Sequence, residues 1–263
     1  MRIFVELARR SFRRQINYRA ATIAGLATNF AFGLLRAVLL IALYNQRPEM
    51  AGFTLQAAIT FTALSQASIG YLSLFGWFDL MNQVYTGDIA SDLLKPLDLF
   101  RFWLAKDFGR AAAAFLTRGI TIVLAYELIV DLAYPYDPQQ WALVGFSLIF
   151  AWLVNFSWCF LINLASFWIP NALGFSRFFF LVATFFSGML MPLRFYPQWV
   201  SNLAYLSPFP HILNTPVEIY LGILSIPEAI SALLLQAAWA AVLIVFGQLI
   251  LKSGVRRLVI QGG

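Results

Sequence analysis

The chain has 263 residues, of which 61% are hydrophobic and only 11% are charged, and its formal net charge is +6. This balance excludes a water-soluble globular protein and is typical of a polytopic membrane protein. The basic residues cluster beside apolar runs, so the positive charge indicates membrane topology and not nucleic-acid binding. Cys159 is the only cysteine, which excludes an intrachain disulfide.

The first 19 residues predict an amphipathic helix that lies in the lipid headgroup layer. Apolar residues recur at helical spacing from Ile3 to Ile16, and five arginines between Arg2 and Arg14 occupy the other face. We expect this helix to remain uncleaved, since no clear small-residue cleavage site follows it. A positively charged anchor without a further role is the alternative.

Hydropathy predicts an all-α fold in which a single transmembrane domain covers residues 1–263. The six predicted spans are Ala20–Tyr44, Phe53–Phe78, Ala111–Val130, Trp141–Trp168, Phe175–Leu193 and Ala229–Leu251.

Charge asymmetry predicts that both termini are cytoplasmic, because basic residues concentrate on the cytoplasmic side of membrane proteins. The basic residues on one predicted face are Arg2 to Arg19, Lys95 to Arg110, Arg177, Lys252, Arg256 and Arg257. The opposite segments carry only Arg47 and Arg194.

The predicted cytoplasmic hairpin, residues 87–110, holds eight charged residues. Because Lys95 precedes Pro96, a short helix over about Asp88–Leu94 should end there, and Asp98 can cap the helix that follows. Ile89, Leu93 and Leu94 form an apolar edge suited to a groove in a soluble partner. A solvated loop that skims the lipid is the alternative.

The predicted outer segment, residues 192–228, is too apolar for a solvated loop and too interrupted for a span. Six prolines divide it, which predicts short re-entrant helices that dip into the membrane and return. Trp199, Tyr196, Tyr205 and Tyr220 suit the membrane interface.

The sequence gives little support for ATP binding, zinc binding or histidine-based catalysis by this chain. The chain has no phosphate-binding loop of the G-x-x-x-x-G-K-[ST] type, so ATP energy would come from a partner. His211 is the only histidine, which argues against a zinc site and against histidine-based catalysis. A lipid-modifying enzyme using His211, Glu218 and Glu228 remains the least favoured alternative.

Four charged residues fall within or beside the predicted spans: Arg36, Asp79, Arg118 and Glu127. Such groups are costly at bilayer depth and usually lie against protein or water. Arg36 could fix helix packing, or could lie at a subunit interface or on the transport path. An ion-coupled secondary transporter that uses Arg36, Asp79 or Glu127 is therefore a second hypothesis.

Three segments resemble one family. GDIASDLLKPLD after the second predicted span, SGMLMPLRFYPQW at the end of the fifth and LSPFPHILNTPVEIYLG before the sixth are similar to the permease subunits of type-2 ABC exporters. The resemblance is closest to the branch associated with viologen and drug export. Each motif is weak alone, but their order and spacing together are fairly specific.

The resemblance implies functional roles for two sets of residues. The element that couples to the ATPase would comprise Asp88, Ile89, Asp92, Leu93, Leu94, Lys95 and Pro96. The outer gate would comprise Pro192, Tyr196, Pro197, Trp199, Pro208, Pro216 and Gly222.

The resemblance also implies the partners. Two permeases, identical or different, would assemble in lipid with two ABC ATPase subunits that bind ATP and Mg²⁺, and this chain would hold no cofactor or metal. The expected location is the bacterial cytoplasmic (inner) membrane. The expected activity is outward movement of a hydrophobic or amphiphilic substrate by alternating access.

Overall fold

A computed structural model describes residues 2–45, 49–169 and 171–257 of the protein, which are mostly helical and include one short hairpin. The hairpin pairs β1 (Glu49–Met50) with β2 (Phe53–Thr54) in antiparallel register. Arg47, which was assigned to the outer side, lies outside the described residues.

Twelve α-helices are present in the described ranges. They are α1 (Arg2–Asn17), α2 (Arg19–Tyr44), α3 (Leu55–Leu72), α4 (Asp79–Thr86), α5 (Ile89–Leu93), α6 (Leu99–Ala114), α7 (Ile120–Glu127), α8 (Pro138–Leu164), α9 (Leu173–Phe186), α10 (Gln198–Tyr205), α11 (Asn214–Tyr220) and α12 (Ile226–Val255). A π-helical turn, Phe115–Gly119, joins α6 to α7 in one continuous rod.

Four helical stretches among the described residues are long and apolar enough to cross a membrane: Arg19–Tyr44, Leu99–Glu127, Pro138–Phe167 and Ile226–Val255. The other two predicted spans correspond to α3 and α9, which have 18 and 14 residues. At 1.5 Å per residue these helices are about 27 and 21 Å long, less than the roughly 30 Å of hydrocarbon. The count of six spans therefore stays a prediction.

The predicted span Phe53–Phe78 is wrong in its last part, because the helix breaks after Leu72. Ser73 adopts a left-handed conformation with φ of 49°, and Gly76 has φ of 79°. A Cβ atom on Gly76 would lie 2.5 Å from the Phe180 ring, so both the backbone angle and the space require glycine. Hydropathy continues across this break and gives no sign of it.

Side chains from three other helices satisfy the interrupted backbone between α3 and α4. Arg110 donates to the carbonyl oxygens of Gly70 and Tyr71 at 2.6 and 3.0 Å. The remaining donors are Asn155 to Leu72 O, Thr184 to Leu74 O at 3.2 Å and Asn163 to Trp77 O at 2.8 Å. These bonds matter because an unpaired carbonyl inside a membrane costs several kcal/mol.

The helix predicted to follow the cap at Asp98 begins at Leu99 and continues without interruption into the third predicted span. Lys106, Asp107 and Arg110 of the predicted hairpin therefore lie on α6. Pairing makes this burial of charge tolerable, since Arg110 Nε lies 2.7 Å from Asp107. The other carboxylate oxygen of Asp107 accepts a hydrogen bond of 2.8 Å from the indole nitrogen of Trp152.

The amphipathic helix predicted for the first 19 residues is present as α1, and it packs along α6. Ser11 donates to the carbonyl oxygen of Lys106 at 2.6 Å. A Cβ atom on Gly109 would lie only 2.0 Å from the carbonyl oxygen of Ala8, so the two helices touch backbone to backbone. This close approach fixes α1 against α6.

Gly109→Ala should force α1 away from α6, with a loss of stability of roughly 1 to 3 kcal/mol, as for an overpacked contact. Trypsin should then cut α1 at its arginines faster, because cleavage requires the helix to open locally. Gly145→Ala is the matched control, since no atom lies within 4 Å of the added methyl group. Equal cleavage rates in the two variants would contradict the contact.

Candidate functional site

The predicted coupling element lies at an exposed turn between α4, α5 and α6. Gly87, with φ of 83°, separates α4 from α5, and α5 ends at Leu93 just before the Lys95–Pro96 dipeptide. The predicted cap at Asp98 is confirmed, because its carboxylate accepts a hydrogen bond of 2.9 Å from Arg101 N. The segment is therefore a short helix, a turn and a long helix.

The apolar residues of this segment do not share one surface, contrary to the sequence prediction. Ile89 is only 1% exposed and belongs to the hydrophobic core, and Leu93 is partly buried against the same core. Leu94 points away and is 87% exposed. Ile89 therefore anchors α5 to the protein, while Leu94 is the large apolar side chain that a partner could contact.

Charged residues stiffen the turn around Leu94. Asp92 is buried and forms an ion pair with Lys95, whose ammonium lies 4.2 Å from the centre of the Phe102 ring. Asp88 lies at the exposed start of the segment and accepts a hydrogen bond of 2.7 Å from Thr86. The turn is thus tied to α6 as well as to α5.

The exposed turn also borders the end of α12, a contact that the sequence does not predict. An open cavity of about 580 Å³ has Lys95, Pro96 and Asp98 on one side, and Lys252 and Arg256 on the other. Nothing in the local pattern of either segment signals this contact between distant parts of the chain.

The four charged residues predicted within or beside the spans occupy separate places. Arg36 donates to Met189 O at 2.9 Å and links α2 to the turn after α9. Arg118, on the π-helical turn, donates to Ala21 O at 2.9 Å. Asp79 lies in the first turn of α4, and Glu127 accepts a hydrogen bond of 2.9 Å from Tyr134 at the far end of α7.

Asp79 and Glu127 are too far apart to exchange a proton directly. Asp79 lines a cavity with Lys106, and the helical rod from Lys106 to Glu127 is about 30 Å long at 1.5 Å per residue. Among the described residues, Arg36 forms no hydrogen bond or ion pair with either carboxylate. The structure therefore does not assemble these residues into a relay.

The predicted outer segment forms short helical pieces whose starts coincide with its prolines. Pro192 precedes a 3₁₀ turn, Leu193–Phe195, Pro197 precedes α10, and Pro208 precedes a second 3₁₀ turn, Phe209–His211. Pro216 is buried in the first turn of α11, and Gly222, with φ of 66°, follows the end of α11.

The two aromatic residues predicted for the gate have different environments. The Tyr196 ring packs edge-on against Phe185 at 5.0 Å between ring centres. Trp199 is one of the exposed large side chains. Tyr196 is therefore tied to the end of α9, and Trp199 is available to lipid or to a partner.

Asn214, at the start of α11, connects the pieces of the outer segment. Its backbone N–H donates to Ser187 O at 3.0 Å, and its side-chain oxygen accepts from Leu193 N at 3.1 Å. Its side-chain nitrogen lies 3.3 Å from the hydroxyl of Tyr205. One buried residue thus joins the end of α9, α10 and α11.

The same region contains an ion pair, in which Arg194 Nε lies 2.8 Å from a carboxylate oxygen of Glu218. Glu218 is 3% exposed, and burial raises its pKa although the guanidinium opposes the shift. Gln140 and Gln236 fix the surrounding backbone by donating to Ile219 O and His211 O at 2.8 and 2.7 Å.

A cavity of about 560 Å³ at this end is lined by Arg194, Tyr205, His211, Glu218 and Glu228, among others. Burial lowers the pKa of His211 to about 4, and its Nδ1 atom lies 3.2 Å from the Thr215 hydroxyl. Hydrogen bonds from Ser225 lower the pKa of Glu228. Within the described ranges, no cluster of His, Cys, Asp and Glu could hold a metal ion.

Arg194→Gln should lower the free energy of unfolding by about 2 kcal/mol. This loss is smaller than for a fully buried ion pair, because the arginine is partly exposed. It should also raise the pKa of Glu218 further. A raised carboxyl pKa means that stability is greatest at low pH and falls as pH rises through that pKa. The melting temperature of this variant should therefore increase from about pH 7.5 to about pH 5 more than that of the wild type.

The double variant Arg194→Gln/Glu218→Gln is the control for that effect. It should lose the additional acid stabilisation, whereas the contribution of His211 is common to all three proteins. A double variant with the same pH profile as Arg194→Gln would exclude Glu218 as the source.

Residues 30–262 match a protein-family model described as ABC-2 family transporter protein. No curated protein matches the chain. The match covers most of the sequence, including the exposed turn at Leu94 and the outer segment. The chain therefore belongs to the ABC-2 transporter family and is a membrane permease of the ABC class, a transport subunit rather than an enzyme.

Proposed function

We propose that this permease is the membrane subunit of an ATP-driven exporter that moves a hydrophobic or amphiphilic substrate outward. The exposed turn at Leu94 is the observation that carries the proposal, because it offers an apolar side chain on a rigid support. Separate ABC ATPase subunits would bind ATP and Mg²⁺ and would contact this turn. The branch associated with viologen and drug export is the proposed affiliation within the family.

A coupling element must transmit force without bending, and the contacts around Leu94 suit this requirement. Ile89 is buried in the core, and Lys95 is held by Asp92 and by the Phe102 ring. On the other side, Met81 N in α4 donates to the side chain of Asn163 in α8 at 3.1 Å. A push on the turn would therefore move α4, α6 and α8 together.

The transport step would be alternating access between two permeases, which are identical or different chains. In this scheme ATP brings the ATPases together, the turns move with them, and the substrate passes between the two permeases. The outer faces of α2 and α9 expose large apolar side chains suited to lipid or to the second permease, among them Phe32, Leu35, Phe178 and Leu181. The outer gate would open when the contacts of Asn214 and Arg194 rearrange.

The proposed placement is the bacterial cytoplasmic membrane, with six spans, re-entrant outer helices and both termini in the cytoplasm. The basic residues on α1, on the turn segment and at the end of α12 support this orientation. The proline-divided pieces of the outer segment support re-entrant helices, since their irregular backbone is shielded by protein contacts.

The ion-coupled alternative has less support, because Arg36, Asp79 and Glu127 lie apart. Transport driven by a pH or sodium gradient alone would favour it. The enzyme alternative rests on the cavity that contains His211, Glu218 and Glu228, but Arg194 already pairs with Glu218. It would require a lipid product that disappears in His211→Ala.

The proposal is tested by Leu94→Asp. This variant should bind the ABC ATPase encoded beside its gene at least about tenfold more weakly, as for loss of an interface hot spot, and should not transport. Stability should change by less than about 0.5 kcal/mol, because Leu94 contributes little to the core. Co-purification with the ATPase and melting temperature are the two measurements.

Tyr136→Asp is the matched control, since Tyr136 is fully exposed in the loop between α7 and α8, away from the turn at Leu94. It should retain the ATPase. Normal ATPase recovery with Leu94→Asp would exclude this coupling role, and transport by the chain alone in ATP-free vesicles would overturn the proposal of an ATP-driven exporter.

A further inference from the structure

Two adjoining cavities between α1, α4 and α6 are not used by the proposed transport mechanism. Their volumes are about 260 and 180 Å³, and both are lined by Arg14, Asp79 and Lys106. They lie beside the amphipathic helix α1, the element best suited to the membrane surface.

The smaller cavity offers hydrogen-bond donors without partners. Trp103 lines it and is 3% exposed, and its indole N–H has no hydrogen-bond acceptor in the described structure. The Lys106 ammonium lies 3.8 Å from the centre of the Trp103 ring and forms no ion pair with a described carboxylate. Arg14 adds a second cation at the open side. Asp107 and Arg110 also line this cavity, but they neutralise each other.

The larger cavity offers acceptors without partners. The side-chain oxygen of Gln83 is buried and accepts no hydrogen bond within the described residues. Asp79 likewise forms no ion pair there, and Asp88 lies further out, where Thr86 donates to it. Because Arg14, Asp79 and Lys106 line both cavities, a ligand there would meet cations and a carboxylate side by side.

This arrangement matches a headgroup that carries one phosphate and one primary ammonium group. A phosphodiester accepts charge-assisted hydrogen bonds from lysine and arginine, and an ammonium group donates up to three hydrogen bonds. A trimethylammonium group donates none, and a glycerol headgroup carries no positive charge for Asp79.

We propose that these cavities bind the headgroup of a phosphatidylethanolamine molecule from the adjacent leaflet. The phosphate lies against Lys106 and Arg14, and the ammonium group lies against Asp79. The bound lipid connects α1 to α4 and α6, and so supports the helices on which the exposed turn at Leu94 rests.

Binding is tested with the delipidated full-length protein in detergent, by native mass spectrometry with added lipid. Phosphatidylethanolamine should bind more tightly than phosphatidylcholine or phosphatidylglycerol of the same acyl chains. Lys106→Met keeps the apolar stem over Trp103 but loses one charge-assisted hydrogen bond, so binding should weaken roughly tenfold. Lys252→Met, at the exposed end of α12, is the control and should bind as the wild type does.

Asp79→Asn separates recognition of the amine from recognition of the phosphate. It should reduce the affinity for phosphatidylethanolamine and leave the affinity for phosphatidylglycerol unchanged. Arg14→Gln, on an exposed face of α1, provides a second phosphate-side variant if Lys106→Met does not fold. Glycerophosphoethanolamine should compete for the site, and inorganic phosphate at the same concentration should not.

Equal binding of the three lipids, or competition by inorganic phosphate alone, would overturn the assignment of a zwitterionic headgroup. Unchanged binding in both Lys106→Met and Arg14→Gln would overturn the site itself. These outcomes are independent of ATPase association and hence of the proposed function.

Discussion

The hydrogen bonds that Arg110, Asn155 and Asn163 donate to the interrupted backbone between α3 and α4 are the constraint on which this molecule depends. Inside a membrane, carbonyl groups released by a helix break have no water to bond, so the protein must supply donors. The donors come from α6 and α8, and this fixes both helices relative to α3. Asp107 holds Arg110 in place, and Trp152 in turn donates to Asp107.

The helix break also determines where the exposed turn lies. Because α3 stops at Leu72, the chain changes direction before α4 and delivers α5 to the start of α6. Leu94 is consequently presented by a support whose polar groups are satisfied on several sides. The outer segment follows the same principle: the Asn214 side chain accepts a hydrogen bond from Leu193 N, and Gln236 donates one to His211 O.

Features with a local physical cause could be predicted from the sequence. The arginine face of α1, the end of α5 before Pro96, the cap at Asp98 and the proline-bounded pieces of the outer segment are all set by neighbouring residues. The break after Leu72, the burial of Asp107 on α6 and the inward orientation of Ile89 depend on contacts with other helices. Hydropathy could not predict them. Ser73 is compatible with a helix, and Asp107 can be buried only because Arg110 pairs with its carboxylate and Trp152 donates a hydrogen bond to it.

The π-helical turn Phe115–Gly119 has a consequence for the phase of the rod that contains α6 and α7. One additional residue in a turn rotates every later side chain by about 100° relative to an uninterrupted α-helix. That rotation lets α6 direct Asp107 and Arg110 to one set of neighbours while α7 directs Tyr126 to Phe30 O at 3.3 Å. The rod therefore serves two different packing environments.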